Sequence, residues 1–377
     1  MITLNITKDR QHVDIDFPCL EEVMTDALKK IGVNDELDTK QMVSEVVDFE
    51  MLSLLEGREV DLDEINYLAK RLDAMTKKEL DKFSVVAQME GYDNPKDLIN
   101  LTFNERRYTL IQNIEDMTAI GRMHTLTREM AIPADKSKDA EYAKIGRELI
   151  ESGKGKWTEK GLLFINEDIP FEEVYKGETF PSFPYKVHLL EVEVEFLGAR
   201  EYLYLPEEEL AIKKALLRLG VDNSDNCNIT MTNCNTCDGG YAELLDNLVS
   251  DEDIYDINTF AKRAERLEDV NMFMAVAEYA DITSVKEAIA LIERLDEFTY
   301  IDGISDEYEL GQHLVDYEPE YECADEVKDF INYHDFGKYI SDEYNGKFVS
   351  DGFVYIPSGR RLEDIIDKDM GISFGGM

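Results

Sequence analysis

Histidine, tryptophan, cysteine and proline are all scarce in this chain of 377 residues, at 5, 1, 5 and 9 copies. So few histidines, with no GxSxG, no Walker-type phosphate loop and no GxGxxG, leave nucleophilic and nucleotide-dependent chemistry without residues to carry it. The expectation is a non-enzyme that uses no cofactor. An odd number of cysteines in a long chain does not make a disulfide framework and fits a reducing compartment. Long apolar runs are also missing. Nothing approaches the ~18 residues of a membrane span, and Met1 to Arg10 lacks the basic-then-apolar pattern of a secretory signal. These absences lead us to expect a soluble protein of the bacterial cytoplasm. The scarcity with the largest consequence is that of positive charge: 40 Lys and Arg face 82 Asp and Glu, a net charge of −42. No basic footprint exists for direct contact with nucleic acid.

What is present is enough apolar material to fold. Hydrophobic residues make up 44% of the chain and aromatics 10%, unlike the composition of an acidic disordered tail. A chain this long is expected to form several domains. Folding under such a single-sign field costs self-repulsion, which points to a binding role for the charge. B-DNA carries roughly one charge per 1.7 Å of axis, so the net charge here matches that on a duplex about 70 Å long.

The chain also repeats itself. Pro18, Ala27-Leu28 and Gly32-Val33 return as Pro206, Ala215-Leu216 and Gly220-Val221. Ile65-Asn66 and Ala69-Lys70-Arg71 return as Ile257-Asn258 and Ala261-Lys262-Arg263, and Val86-Ala87, Lys96, Ile99 and Leu101 as Val276-Ala277, Lys286, Ile289 and Leu291. Ile114, Asp116, Gly121, Tyr142, Gly146 and Gly161 recur as Ile304, Asp306, Gly311, Tyr333, Gly337 and Gly352. Matches in order at a nearly constant offset indicate two copies of one unit, split near Pro181 to Pro184.

Each copy opens with alternating residues that predict a β-hairpin: Ile2 to Ile6 with Val13 to Phe17, then Val192 to Phe196 with Tyr202 to Leu205. A helix follows, with an apolar face of Val23, Ala27, Leu28 and Ile31, or of Leu210, Ala215, Leu216 and Leu219, and a glycine at its end. Short helices come next. Asn94-Pro95 and the capping box Ser284-Val285-Lys286-Glu287 start equivalent ones, the second with an expected apolar face of Val285, Ala288, Ile289, Ile292 and Leu295. A glycine-flanked strand closes each copy, Leu162 to Ile165 and Phe353 to Ile356, and the tail from Gly371 to Met377 is expected to fray. The fold class expected is α+β, an elongated tandem of two homologous units. Its parts are a small hairpin-and-helix module at 1–60, a helix-rich region at 61–183, a second module at 184–250 and a strongly acidic region at 251–377.

Charge is unevenly shared. Residues 1–186 hold 38 acids and 25 bases, whereas 187–377 hold 44 and 15. From Asp251 to Phe330 there are 24 acids and 6 bases. Any one acidic doublet is explained by a solvated helix start, but six bases cannot supply the lysine partners that a neutral helical face interleaves.

Two constellations suggest chemistry and lose it on comparison of the copies. Cys234-Asn235-Thr236-Cys237, with Cys227 upstream, lacks the second ligand pair of a zinc site, and the first copy has no cysteine there. His334-Asp335 resembles a metal-binding HD pair, but the first copy has Ala143-Lys144 in its place while the flanking Tyr and Gly persist. A structural motif behaves in this way. No metal ligand is assigned.

Both halves resemble the ArdA antirestriction family. The resemblance rests on Asp256-Ile257-Asn258 through Val276-Ala277-Glu278-Tyr279, Thr283 to Ile292, Ile304-Ser305-Asp306-Glu307-Tyr308-Glu309-Leu310-Gly311, and Tyr333-His334-Asp335-Phe336-Gly337 to Gly352-Phe353-Val354. The first copy keeps Ile65 to Arg71, Glu90-Gly91-Tyr92, Ile114 to Gly121 and Tyr142 to Gly146. The resemblance implies a B-DNA mimic, encoded on a mobile element, that occupies the DNA-binding groove of a Type I restriction-modification enzyme. It also implies that homodimers form. The alternative is an acidic decoy for another basic defence protein, such as a guided nuclease. The carboxylates expected to stand in for phosphates are Asp251, Glu252, Asp253, Glu268, Asp269, Glu287, Glu293, Asp296, Glu297, Asp306, Glu307, Glu309, Asp325 and Glu326. The first copy, with Arg106-Arg107, Arg122 and Arg128, is read as a further mimic, a spacer or a dimerisation module.

Overall fold

The computed structural model describes residues 2–132, 138–234, 239–249 and 252–366. The fold is α+β, and the chain divides into two compact units: Met1–Lys186 with Leu217–Gly220, and Val187–Leu216 with Val221–Met377.

The first unit begins with β1 (Ile2–Lys8) and β2 (Gln11–Phe17), followed by α1 (Glu21–Lys30), β3 (Lys40–Val46) and β4 (Glu59–Asp61). These strands form an antiparallel sheet in the order β2-β1-β3-β4. Next come α2 (Leu62–Asp73), α3 (Lys77–Glu90), α4 (Pro95–Phe103), β5 (Tyr108–Ile111), α5 (Met117–Glu129), α6 (Asp139–Glu151), β6 (Lys156–Thr158) and β7 (Gly161–Ile165), the last strands giving a sheet β5-β7-β6.

In the second unit β8 (Leu190–Phe196), β9 (Ala199–Leu205), α7 (Glu209–Arg218) and β10 (Asn228–Cys234) form a module with sheet order β10-β8-β9. The chain continues through α8 (Gly239–Val249), α9 (Ile254–Ala264), α10 (Val270–Ala280), α11 (Val285–Ile292), β11 (Thr299–Asp302), α12 (Glu307–Tyr317), α13 (Asp325–Lys328), α14 (Tyr333–Glu343), β12 (Lys347–Val349), β13 (Gly352–Tyr355) and α15 (Leu362–Ile365). Its closing sheet runs β11-β13-β12, the arrangement of β5-β7-β6.

Local chemistry accounts for several residues that recur between the units. Both hairpins turn through two residues of positive φ, Asp9-Arg10 and Leu197-Gly198, the type I′ geometry that matches strand twist. The bonds before Pro18 and Pro206 are both cis. The next residue is gripped by a buried asparagine in each unit: Asn66 Oδ1 accepts from Cys19 N at 2.9 Å while its Nδ2 donates to Cys19 O, and Asn258 does the same to Glu207 at 2.8 and 2.9 Å. An amide side chain can donate and accept at once, so it completes the backbone hydrogen bonding of a residue outside any ladder.

Asparagine also fixes the segment rich in proline. Asn104 clasps Glu172 and Asn100 clasps Tyr175 through both backbone groups. Further along, Phe180 stacks on Tyr67 with ring centroids 4.8 Å apart, and Tyr67 Oη donates to Pro181 O. Residues 166–186 are thus part of the first unit's packed body.

Glycines explain the remaining recurrences. Helices α5 and α6 cross at Gly121 and Gly146, and α12 and α14 cross at Gly311 and Gly337. A Cβ at Gly311 would sit 2.0 Å from Tyr333 O, and one at Gly337 would sit 1.9 Å from Glu307 O. Only backbone fits there.

The main core of the first unit runs from Leu4, Ile6 and Phe17 of the first sheet through Leu52, Ile65 and Leu68 to Phe83, Val86 and Ile99. The second unit buries Val192, Leu205, Ile212, Leu216, Ile257, Phe260, Phe273 and Val276, with a separate cluster of Ile301, Leu310, Leu314, Ile340 and Phe353. Two sequence-based faces need correction. Ala27, Leu28 and Ile31 are buried as expected, but Val23 is 52% exposed and Met24 is buried in its stead, because Met24 and not Val23 lies three and four residues before Ala27 and Leu28 on the same helical face. In α11 Leu291 is buried with Val285 and Ala288, while Ile289 and Ile292 lie at the edge. Among the described residues no helix is long and apolar enough to cross a membrane.

Candidate carboxylate surface of the second unit

The carboxylates singled out in the sequence fall into distinct structural settings. Asp253, Asp269 and Asp306 are N-caps, accepting from Tyr255 N, Met272 N and Glu309 N at 2.9 Å each. An N-cap carboxylate satisfies a helix donor that would otherwise lack a partner, and this holds the side chain in place. Asp253 also accepts from Ser224 Oγ at 2.8 Å. Glu309 reaches back to accept from Ser305 N at 2.9 Å, one residue before the N-cap Asp306, and not from the N-cap N–H itself. The box at α11 differs from expectation. Ser284 Oγ caps Glu287 N, but the Glu287 carboxylate accepts from Thr283 N, one residue earlier than in the usual motif.

Three acids carry cationic partners. Glu293 pairs with Arg263, Glu297 with Arg360, and Asp325 with Lys328 at 3.5 Å. Their charge is partly offset. Glu252 departs furthest from the expected role: it is half-buried, accepts from Val285 N at 3.1 Å, and burial pushes its carboxyl above the usual range. It ties the start of α11 to the chain ahead of α9, so its role is structural. Glu307 is half-buried on the first turn of α12, whereas Glu268, Asp296 and Glu326 are exposed. Asp251 lies outside the described residues.

The sequence reading passed over exposed acids of the same unit, among them Asp302, Glu320, Glu322, Asp329, Asp342 and Glu343. Glu320, Glu322 and Asp329 stand singly between α12 and α14, Asp302 ends β11, and Asp342-Glu343 is a doublet at the end of α14, so a search for doublets at helix starts does not find them.

Among the described residues no group of three His, Cys, Asp or Glu side chains is placed to hold a metal. His334 and Asp335 are exposed at the start of α14, where Asp335 meets Asn332. The recurrence around them follows from the crossing of α12 and α14 at Gly311 and Gly337. Cys234 ends β10 and is disulfide-bonded, which the odd cysteine count did not lead us to expect, while Cys19, Cys227 and Cys323 are free. Cys237 lies outside the described residues.

The arrangement offers many negative groups, several held by backbone N–H bonds, and no metal-ligand cluster among the described residues. A helix N-terminus carries roughly half a positive charge, so a capping carboxylate still leaves a net negative field. No known protein family matches the chain, and no characterised protein is recognisably related to it.

Proposed function

We propose that the protein is an antirestriction factor that mimics B-DNA and blocks the DNA-binding groove of a Type I restriction-modification enzyme without catalysis. The observation that carries this reading is the second unit's excess of carboxylates on an ordered scaffold, with 24 acids and 6 bases from Asp251 to Phe330. Helix starts hold Asp253, Asp269, Glu287, Asp306 and Glu309 in place. Fixed charges complement a cationic channel without the entropy cost of ordering mobile side chains. The field also steers association, which quickens capture.

The test is competition. Purified protein is titrated against labelled duplex bound to a panel of Type I enzymes and to unrelated nucleases. Stoichiometric displacement from the Type I enzymes supports the proposal. Displacement only from another basic nuclease assigns the decoy role to that partner instead. Absence of displacement from every enzyme rejects mimicry.

A further inference from the structure

The first unit contains a cavity of about 580 Å³ between the start of α3, the end of β5 and α5. Its apolar wall includes Ile111, Ile120, Met123, Leu126 and Met130, and its polar side includes Lys78, Lys82 and Arg106. Both carboxylates that line it are already engaged. Glu79 accepts from Thr76 N at 2.6 Å within a capping box, and Glu105 meets Lys82 at 3.2 Å. Arg106 is held across the end of α5 by donating from Nε to Arg128 O at 2.9 Å. A carbonyl is neutral, so the guanidinium keeps its charge. Glu79 keeps its charge as well, since its cap partner is a neutral N–H, so Lys78, Lys82 and Arg106 against Glu79 and Glu105 leave the lining one net positive charge, in a chain of net charge −42.

The second unit shows how unusual this is. The 190-residue offset that relates Val86 to Val276 and Gly121 to Gly311 also relates Lys78 to Glu268, Arg106 to Asp296 and Leu126 to Asp316. All six are exposed. Equivalent places carry cations and an apolar side chain in one unit and carboxylates in the other. Exposed apolar groups flank the cavity, with Leu126 at 41% and Met130 at 72% exposure. Small-molecule sites are typically ~300–1,000 Å³, mostly apolar and provided with a few polar groups. Methionine adapts its shape to a ligand readily. At physiological ionic strength the screening length is about 8 Å, so the nearest cations outweigh the distant acids.

We infer that this cavity binds a small organic anion with an apolar body, its charge at Lys78 and Arg106 and its body against Met123, Leu126 and Met130. Decanoate is the probe, with acetate and decyltrimethylammonium as controls, measured by calorimetry and by NMR of the methionine methyl groups. Saturable one-to-one binding of decanoate is expected, with shifts at Met123 and Met130. Acetate and the cation should bind at least tenfold more weakly. The double variant Lys78→Glu/Leu126→Asp, which copies the second unit at two exposed positions, should also lose at least tenfold. Arg106→Gln gives an independent variant that keeps donors for Arg128 O. No saturable decanoate binding, equal binding of the cation, or undiminished affinity in the folded variants would overturn the inference.

Discussion

At the scale of single residues, the buried amides do more for this fold than its many charges. Asn258 is 1% exposed and satisfies both backbone groups of Glu207. Replacement by Ala leaves those groups without partners, and unmade buried hydrogen bonds cost about 1–3 kcal/mol. Asn258→Ala should therefore lower stability by at least this much in urea melts, and Asn66→Ala should behave alike. The sequence flagged both asparagines as recurrent but not why, since their partners lie about fifty positions away.

Three glutamates give a pH dependence. Burial is the main cause that raises the carboxyls of Glu64, Glu105 and Glu252 above 4.5, their ordinary value. Glu105 Oε1 in addition has no hydrogen-bond partner. A raised carboxyl means that the folded state holds its proton more tightly than the unfolded chain. Stability contributed by these groups is thus fully present below about pH 4.5 and is lost as pH rises through the folded pKa. Tm should increase when pH falls from ~7.5 to ~5.5, and the triple variant Glu64→Gln/Glu105→Gln/Glu252→Gln should flatten that slope in thermal melts. An unchanged slope would exclude these carboxyls as its source.

At the scale of elements, the two helix crossings reverse an ordinary rule. Glycine to alanine inside a helix normally gains about 1 kcal/mol of propensity. Here the added methyl of Gly311→Ala or Gly337→Ala would collide with a carbonyl oxygen of the facing helix. Each substitution should destabilise the second unit, read as lost hydrogen-exchange protection in α12 and α14. Helix starts follow local rules instead. Asp306→Ala should cost about 1 kcal/mol while Asp306→Asn stays near neutral, because Asn caps as well as Asp; thermal melts of both variants decide this. Cap residues such as Asn94 and Ser284 were legible because a cap needs only its own next three residues. The inward face of α1 is local too: Met24, Ala27, Leu28 and Ile31 keep the i, i+3, i+4, i+7 spacing, and Val23 falls outside it.

At the scale of the whole molecule, charge acts collectively. Exposed ion pairs are worth about 0–1 kcal/mol each, so reversing one acid should change inhibition little. Conversion of Glu268, Asp269, Glu287, Asp296, Asp306, Glu309, Asp325 and Glu326 to their amides preserves cap geometry while removing charge. This variant should fold and lose inhibition of a Type I enzyme in the duplex-displacement assay. Full inhibition by the folded variant would reject mimicry. Salt offers a second measurement: duplex DNA binds partly by releasing condensed counterions, so the protein's own affinity should fall less steeply with added salt.

Composition, charge, the repeat and the helix starts were determined by the sequence alone, since each depends on residue identity or on neighbours a few positions apart. Tertiary structure decided what no local pattern encodes. It set the asparagine clasps and the glycine crossings, and it sorted the acids into caps, ion pairs and exposed groups. It also formed the cation-rimmed cavity in the less acidic unit. The physical reason is one of range: these features arise where segments distant along the chain meet and exclude water, and there a single methyl, amide or carboxylate is fixed by its partner.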